Sequence, residues 1–411
     1  MLTNILTVLL ALFFATAMTV KGAANALVLL IGLISLPLLR RAEVEPARPL
    51  LFWALSAMAV LTVLQLLAGF SGVTIKGLDA PLRFVFAGLG LWGLSRLPSR
   101  YLMRALWGIP VGALGLGLWG WLSTHVQAFA WDDFSRGWNG FSNPIPFGVY
   151  SALFAFWVWI LPTKQCGVTV QQRRLMYGVQ VLGVLAAFTA VYYSGTRAAQ
   201  LVSLPLLGLL LVYFYKVARR TIAWLLPAVL LVSVLLLALS PDKFSVRFRE
   251  GFSEIANHQT GHDKSMGLRL SMWQYGGQLV LEHPVTGVGK QGYYREVSKL
   301  QNDPTPLRLI STAPHPHNEI LNLAVEFGLV GIAVGLALFM VPGMLFRRYL
   351  SHADPILAFA ALAGMMVVVC QFVASLFDTY FWIVSQTSFY GLSVVIFASM
   401  IFSRKRELGQ I

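Results

Sequence analysis

The sequence predicts an all-α, polytopic membrane protein. Hydrophobic residues fill 57% of the 411 positions and charged residues 12%, and the mean hydropathy of +0.69 is too high for a soluble domain of this length. About twelve stretches approach the ~20 apolar residues that a helix needs to cross a bilayer core. Basic residues sit in small clusters between those stretches, not in one long patch or a nucleic-acid-binding motif. The net charge of +14 is therefore read as membrane topology, with no nucleic-acid partner.

The expected spans run approximately over 2–20, 23–39, 50–70, 82–97, 101–123, 144–163, 175–194, 198–215, 221–240, 317–346, 354–377 and 383–402. Alternate connectors carry most of the Lys and Arg: Arg40, Arg41 and Arg48; Arg96, Arg100 and Arg104; Lys164, Arg173 and Arg174; Lys216, Arg219 and Arg220; Arg347 and Arg348; and Arg404, Lys405 and Arg406. The opposite short connectors hold only Lys21, Lys76, Arg83, Arg136 and Arg197. The positive-inside rule then places both termini in the cytoplasm, and an even number of spans agrees. Three regions follow: spans one to nine in 1–240, a long outer loop in 241–316, and the last three spans with a short tail in 317–411. The two cysteines, Cys166 and Cys370, offer neither a disulfide framework nor a metal spacing and read as packing residues. The first apolar run lacks a convincing cleavage site and is expected to be a retained helix.

Within the long loop, Leu268, Met272, Tyr275 and Leu279 recur at helical spacing, which predicts a helix lying along the membrane surface. Proline and glycine in HPVTGVGKQGY, from His283 to Tyr293, end it. The stretch up to Pro314 reads as irregular, with room for one short helix. The glycines of HPVTGVGK lack the strand and helix that a nucleotide-binding loop requires.

Ionisable groups near a membrane helix are costly and mark candidate chemistry. Arg197, in a short outer turn, either snorkels to headgroups or binds an anion. Arg269 on the surface helix, with Gly276 and Gly277 beyond it leaving room beside its stripe, is a second guanidinium on the same side. Two such forks suit a diphosphate. Lys76 and Arg83, flanking Asp79, add positive charge there or form a salt bridge and helix anchor. Arg136, in a connector with Trp131, Asp132, Asp133 and Trp138, lines a cavity mouth or an ordinary interfacial belt. His317 follows Pro316 where a helix is expected to begin, and the positive end of that helix disfavours imidazolium, which suits a general base. Glu319, Asn322 and Glu326 then share one helical stripe, facing a cavity or a partner and not lipid. A zinc set of His315, His317 and Glu319 fails on spacing, since i, i+2, i+4 across a proline does not share one helical face.

These blocks carry a family resemblance. LDAPLRF (78–84), GFSNPIPFG (140–148), SGTR (194–197), the run from Arg269 to Tyr293 and HPHNEILNLAVEFGLVG (315–331) together resemble the O-antigen ligases of the O-antigen polymerase and ligase superfamily. The resemblance implies a GT-C-like glycosyltransferase of the bacterial inner membrane with a periplasmic active site. It would transfer a glycan from undecaprenyl diphosphate to a sugar hydroxyl of lipid A-core, with inversion, and without metal or nucleotide cofactor. His317 then falls on the general base and Arg197 and Arg269 on the diphosphate ligands, with Lys76 and Asp378 as looser matches and His315, Asn318, Glu319, Arg83 and Arg136 in support. Arginines and a histidine suffice for this chemistry, because a sugar diphosphate already carries a good leaving group. Competing readings are an O-antigen polymerase or a protein O-oligosaccharyltransferase of the same superfamily and, from another class, a lipid or polysaccharide transporter or flippase. A transporter would show two related halves with polar groups at the membrane midplane, and no half repeat is visible.

Overall fold

The computed structural model describes residues 2–41, 47–130, 136–163, 169–217 and 265–410. The ninth expected span, 221–240, and the start of the long loop lie outside the described residues, as do Trp131, Asp132 and Asp133. The described residues form helices and 3-10 turns, and the protein is an all-α polytopic membrane protein. Its α-helices are α1 (Leu2–Thr16), α2 (Ala23–Ser35), α3 (Ala47–Leu67), α4 (Asp79–Leu94), α5 (Ser99–Ala105), α6 (Gly108–His125), α7 (Pro144–Ile160), α8 (Val170–Ser194), α9 (Arg197–Val217), α10 (Ser265–Glu282), α11 (Gly292–Ser298), α12 (Glu319–Tyr349), α13 (Pro355–Ser375) and α14 (Val384–Glu407).

Among the described residues seven helical segments are long and apolar enough to cross a membrane, while Leu2–Thr16, Ala23–Leu39 and Pro144–Ile160 are shorter apolar helices. Their outer surface is apolar: Leu67, Val170, Leu204 and Trp53 are each more than 60% exposed, a belt that lipid and not water would cover.

Local sequence sets the helix starts. Asn143 and Asp354 cap α7 and α13 through their side chains, each with proline at the first helical position, and Thr169 with Gln172 forms a capping box on α8. The last helix is the central one. From Gln386 to Ser403 every residue of α14 is buried, and it packs against α4, α13 and α2. Rings of Phe13, Phe154 and Trp157 from two other helices, α1 and α7, gather on its Phe389. Of its buried serines, Ser388 donates to Asn25 of α2 and to its own helix and Ser403 to the Leu97 carbonyl, while Ser393 and Ser399 have no hydrogen-bond partner among the described residues.

One end of the bundle gathers connectors that the charge pattern assigns to a common side. Arg404 bonds Asp354 through two nitrogens, at 3.0 and 2.7 Å, Glu407 accepts from Ser99, and Arg406 donates to the Arg96 carbonyl. The candidate site lies at the opposite end.

α12 departs from the uninterrupted span expected over 317–346. It begins at Glu319, so Pro316 lies before the helix and not in its first turn, and Asn318 is the cap, accepting from Leu321 N–H at 3.0 Å. At Gly328 the backbone turns to φ 66° and ψ −153°, breaking the helix. The turn after α10 fills the break. Val288 and Gly289 donate to the carbonyls of Val325 and Glu326, and Leu329 donates to the Pro284 carbonyl, so backbone groups freed by the break are satisfied by the inserted turn. Only glycine fits at two places in this joint. A Cβ on Gly287 would come within 2.5 Å of the Glu326 backbone, and one on Gly328 would strike the Pro284 carbonyl. The proline and glycines of HPVTGVGK thus serve backbone docking.

The predicted surface helix is present as α10, and the described part of the long loop has a small core of its own. Met272, Leu279, Val288, Tyr293, Val297, Ile310 and Ala313 cluster there and meet α12 at Val325. Of the two glycines expected to leave room near Arg269, a Cβ on Gly276 would come within 3.1 Å of Leu321 of α12, whereas one on Gly277 would meet nothing within 4 Å.

Candidate active site

His317 sits just before the α12 cap with φ 51°, one of three described non-glycine residues in the left-handed region. Such backbone persists where neighbours hold it. Trp273 of α10 donates its indole N–H to the Pro316 carbonyl at 2.9 Å, and Asn318 donates to the Leu376 carbonyl at 3.3 Å. Between these clamps the imidazole of His317, 28% exposed, brings Nδ1 to 2.8 Å from Asp378 Oδ1.

Burial pushes the Asp378 carboxyl up, but the hydrogen bond and charge of His317, the charge of His315 and the Thr379 N–H outweigh it and hold the carboxyl below its usual range. An ionised Asp378 is an acceptor only. In a neutral ring Nδ1 therefore carries the proton and Nε2 the lone pair, the tautomer required of a base. His315 stacks edge-on to His317 with ring centroids 4.5 Å apart. Burial, then the neighbouring charge of His317, pushes His315 down to about 4 against the pull of Asp378, so it is neutral at pH 7.

Glu319 anchors the segment that carries Asp378. Its Oε2 accepts from the N–H groups of Tyr380 and Phe381 at 2.6 and 2.8 Å. The stripe read from the sequence is buried, with Glu319, Asn322 and Glu326 at most 2% exposed. Glu326 has a different task from Glu319. It receives the Lys290 ammonium at 2.7 Å and the Gln291 N–H at 2.9 Å, while Gln65 of α3 donates to its carbonyl and accepts from the Lys290 N–H.

The arginines come to the same end of the bundle. Arg269 stands one turn before Trp273 on α10, and its charge acts on the buried Tyr380 phenol, whose pKa burial raises and Arg269 lowers. Tyr380 lies 6.1 Å from the Tyr150 ring on α7. Two residues before Tyr150, Gly148 packs on Ser194 and Thr196, immediately before Arg197 at the start of α9. Arg136 donates to the Ser194 carbonyl at 3.0 Å, so it braces the turn that carries Arg197. Arg83 pairs with Asp79 at 2.6 Å, the salt bridge of the two roles open to it, and Lys76 is exposed on a cleft that also reaches Trp382.

Among the described residues, His315, His317 and Asp378 also form a group whose ligand atoms lie within 4.8 Å of one another and which could hold a transition-metal ion. The acid in that group is Asp378, not the Glu319 of the sequence-based alternative. Sequence reasoning missed Gln65, Lys290, Trp273 and Trp382. A lone glutamine in an apolar span and a lysine directly after a glycine turn were the available signals.

The family model described as O-antigen ligase matches residues 182–336, which include Arg197, Arg269 and His317. An uncharacterized protein of Haemophilus influenzae is 24% identical over 200 residues, 47% of this chain, and the match spans about half that relative's length, at 48%. Through the segment 182–336, the chain is similar to the O-antigen ligase family.

Proposed function

We propose that the protein is an O-antigen ligase of the bacterial inner membrane, transferring a glycan from undecaprenyl diphosphate to a sugar hydroxyl of lipid A-core at the periplasmic face. The observation that carries this reading is the His317–Asp378 pair, with Nδ1 engaged at 2.8 Å and Nε2 left for the acceptor. His317 Nε2 takes the proton of the acceptor hydroxyl as its oxygen attacks the anomeric carbon from the face opposite the diphosphate. The bond from that carbon to the diphosphate oxygen breaks, the configuration inverts, and undecaprenyl diphosphate leaves. Arg197 and Arg269 hold the charge gathering on the departing phosphate oxygens. Asp378 fixes the ring and stabilises the imidazolium that forms. The donor glycan, the lipid A-core and membrane lipids are the partners, and no metal or nucleotide takes part.

The test is a strain lacking the protein, together with the purified chain. The reading expects lipid-linked O-antigen to accumulate in the mutant while lipopolysaccharide stays at core length. The purified protein should transfer glycan equally well in excess chelator. Full-length ligated lipopolysaccharide in the mutant would overturn the ligase assignment. Core carrying a single repeat unit would favour a polymerase.

A further inference from the structure

On the far side of Trp382 and His315 from His317 lies a cleft of about 320 Å³ with Lys76, Asp79, Lys290, Gln291, Trp382 and Val384 in its walls. We infer that this cleft is the subsite for the acceptor saccharide, with Trp382 as its stacking platform and Gln291 and Asp79 as its hydroxyl-binding groups. The inference rests on the reading of the site as a glycosyl transferase.

Three observations carry it. The first is proximity: the Trp382 ring in the cleft wall lies 5.2 Å from His315, whose ring lies 4.5 Å from His317, so the cleft stands two ring contacts from the base. A hydroxyl that His317 deprotonates has to arrive from a space adjoining it. The phosphate-binding arginines are tied instead to Tyr380 and the Ser194 turn, which leaves the Trp382 side for the second substrate.

The second is composition. A pyranose presents a C–H face that packs on an aromatic ring and an equator of hydroxyls that donate and accept together. The cleft supplies a half-buried indole, an amide and a carboxylate, while exposed Lys76 adds a cation suited to phosphorylated or acidic sugars. Its volume falls at the small end of ligand pockets, about 300–1,000 Å³, and suits a short saccharide and not a lipid tail.

The third is preorganisation. Gln291 has φ 62°, a conformation an L-residue rarely adopts. The Glu326 carboxylate holds it there through the Gln291 N–H at 2.9 Å, while the Gln291 side chain stays exposed. Lys290, whose ammonium pairs with Glu326, helps to fix that wall. A strained residue held by a buried ion pair with a free amide on a cleft is what a fixed hydrogen-bonding group requires.

The test uses full-length protein in nanodiscs, with core oligosaccharide released from lipopolysaccharide by mild acid as the acceptor probe, undecaprenyl diphosphate as the probe of the phosphate site, and undecaprenyl-diphosphate-linked glycan as the donor for binding and transfer. Calorimetric binding of each is measured beside transfer kinetics for Trp382→Ala, Trp382→Phe and Gln291→Gly. Glycine accepts the backbone of residue 291 without strain, so that variant removes the amide while sparing the fold. Trp382→Ala should weaken core-oligosaccharide binding and raise acceptor KM by about tenfold or more. Trp382→Phe should restore most of this, and Gln291→Gly should lose about threefold to tenfold. Undecaprenyl diphosphate affinity should stay within about twofold throughout. Unchanged acceptor KM in both Trp382→Ala and Gln291→Gly would overturn the inference, as would a rise confined to the donor, which would give the cleft to the donor glycan. If Trp382→Ala fails to fold, Gln291→Gly and Trp382→Phe decide alone. Absence of transfer by the wild-type protein would instead sink the ligase reading itself.

Discussion

Two acid–base pairs, one anchored on the first arm of α12 through Glu326 and one just before it at His317, are built in opposite ways. Glu326 and Lys290 are 1% and 3% exposed, and Gln65 and the Gln291 N–H occupy the remaining positions around them. His317 and Asp378 are 28% and 12% exposed. Around them the His315 Nδ1, one oxygen of Glu319, the Asn322 amide nitrogen and the Tyr380 hydroxyl are buried without a hydrogen-bond partner among the described residues. A buried pair with both carboxylate oxygens engaged holds backbone in place; a pair with an open nitrogen and unspent polar neighbours is the one suited to chemistry. The closed pair locks the helix break at Gly328, and on the proposed mechanism the open pair works beside the arm so fixed.

That contrast predicts where substitutions act. The largest expected effect is on His317→Ala, which should slow single-turnover glycan transfer by about 10² to 10⁴-fold while leaving the thermal midpoint in detergent nearly unchanged. A large loss of thermal stability would show that His317 belongs to the structural class. Glu326→Ala should do the reverse. It strands a buried ammonium and should cost about 3–5 kcal/mol, read as a lower midpoint, and adding Lys290→Met should recover much of it. Next comes Asp378→Asn, whose amide can donate to Nδ1 and so favours the wrong tautomer. Transfer should fall about 10²-fold or more, with donor affinity retained.

The smallest effect is on the pH dependence of stability. The His315 pKa falls from 6.5 in the unfolded chain to about 4 in the folded protein. Between those values the unfolded state binds more protons, so stability rises with pH over that window and is lost on acidification. His315→Gln should flatten the slope between about pH 4 and 6.5, measured as midpoint against pH. An unaltered slope would remove His315 as its source.

Much of the fold was legible because lipid makes strict demands. Apolar length marked eleven helices that fall within the described residues, and the stripe of Glu319, Asn322 and Glu326 announced a buried face. The site was legible in its types and not in its pairings. His317 stood out as a polar residue before an apolar helix, whereas its partner Asp378 is 61 positions away and entered only through the family resemblance. The broken helix was hidden because a glycine inside an apolar span reads as ordinary until a second segment is seen to insert there. Gln65 and Lys290 are 225 positions apart, and no local period links them. Nothing in its local sequence sets Trp382 apart from the chain's other tryptophans.

The central claim is that His317 and the two arginines form one site although they come from three separate segments. The most direct measurement is an electron cryomicroscopy structure of the protein in nanodiscs with undecaprenyl diphosphate bound. The account predicts Arg197 and Arg269 within hydrogen-bonding distance of the phosphate oxygens, His317 Nδ1 still on Asp378, and Nε2 facing the open cleft beside Trp382. A diphosphate bound away from both arginines, or a His317 turned from the lipid with Asp378 elsewhere, would contradict it.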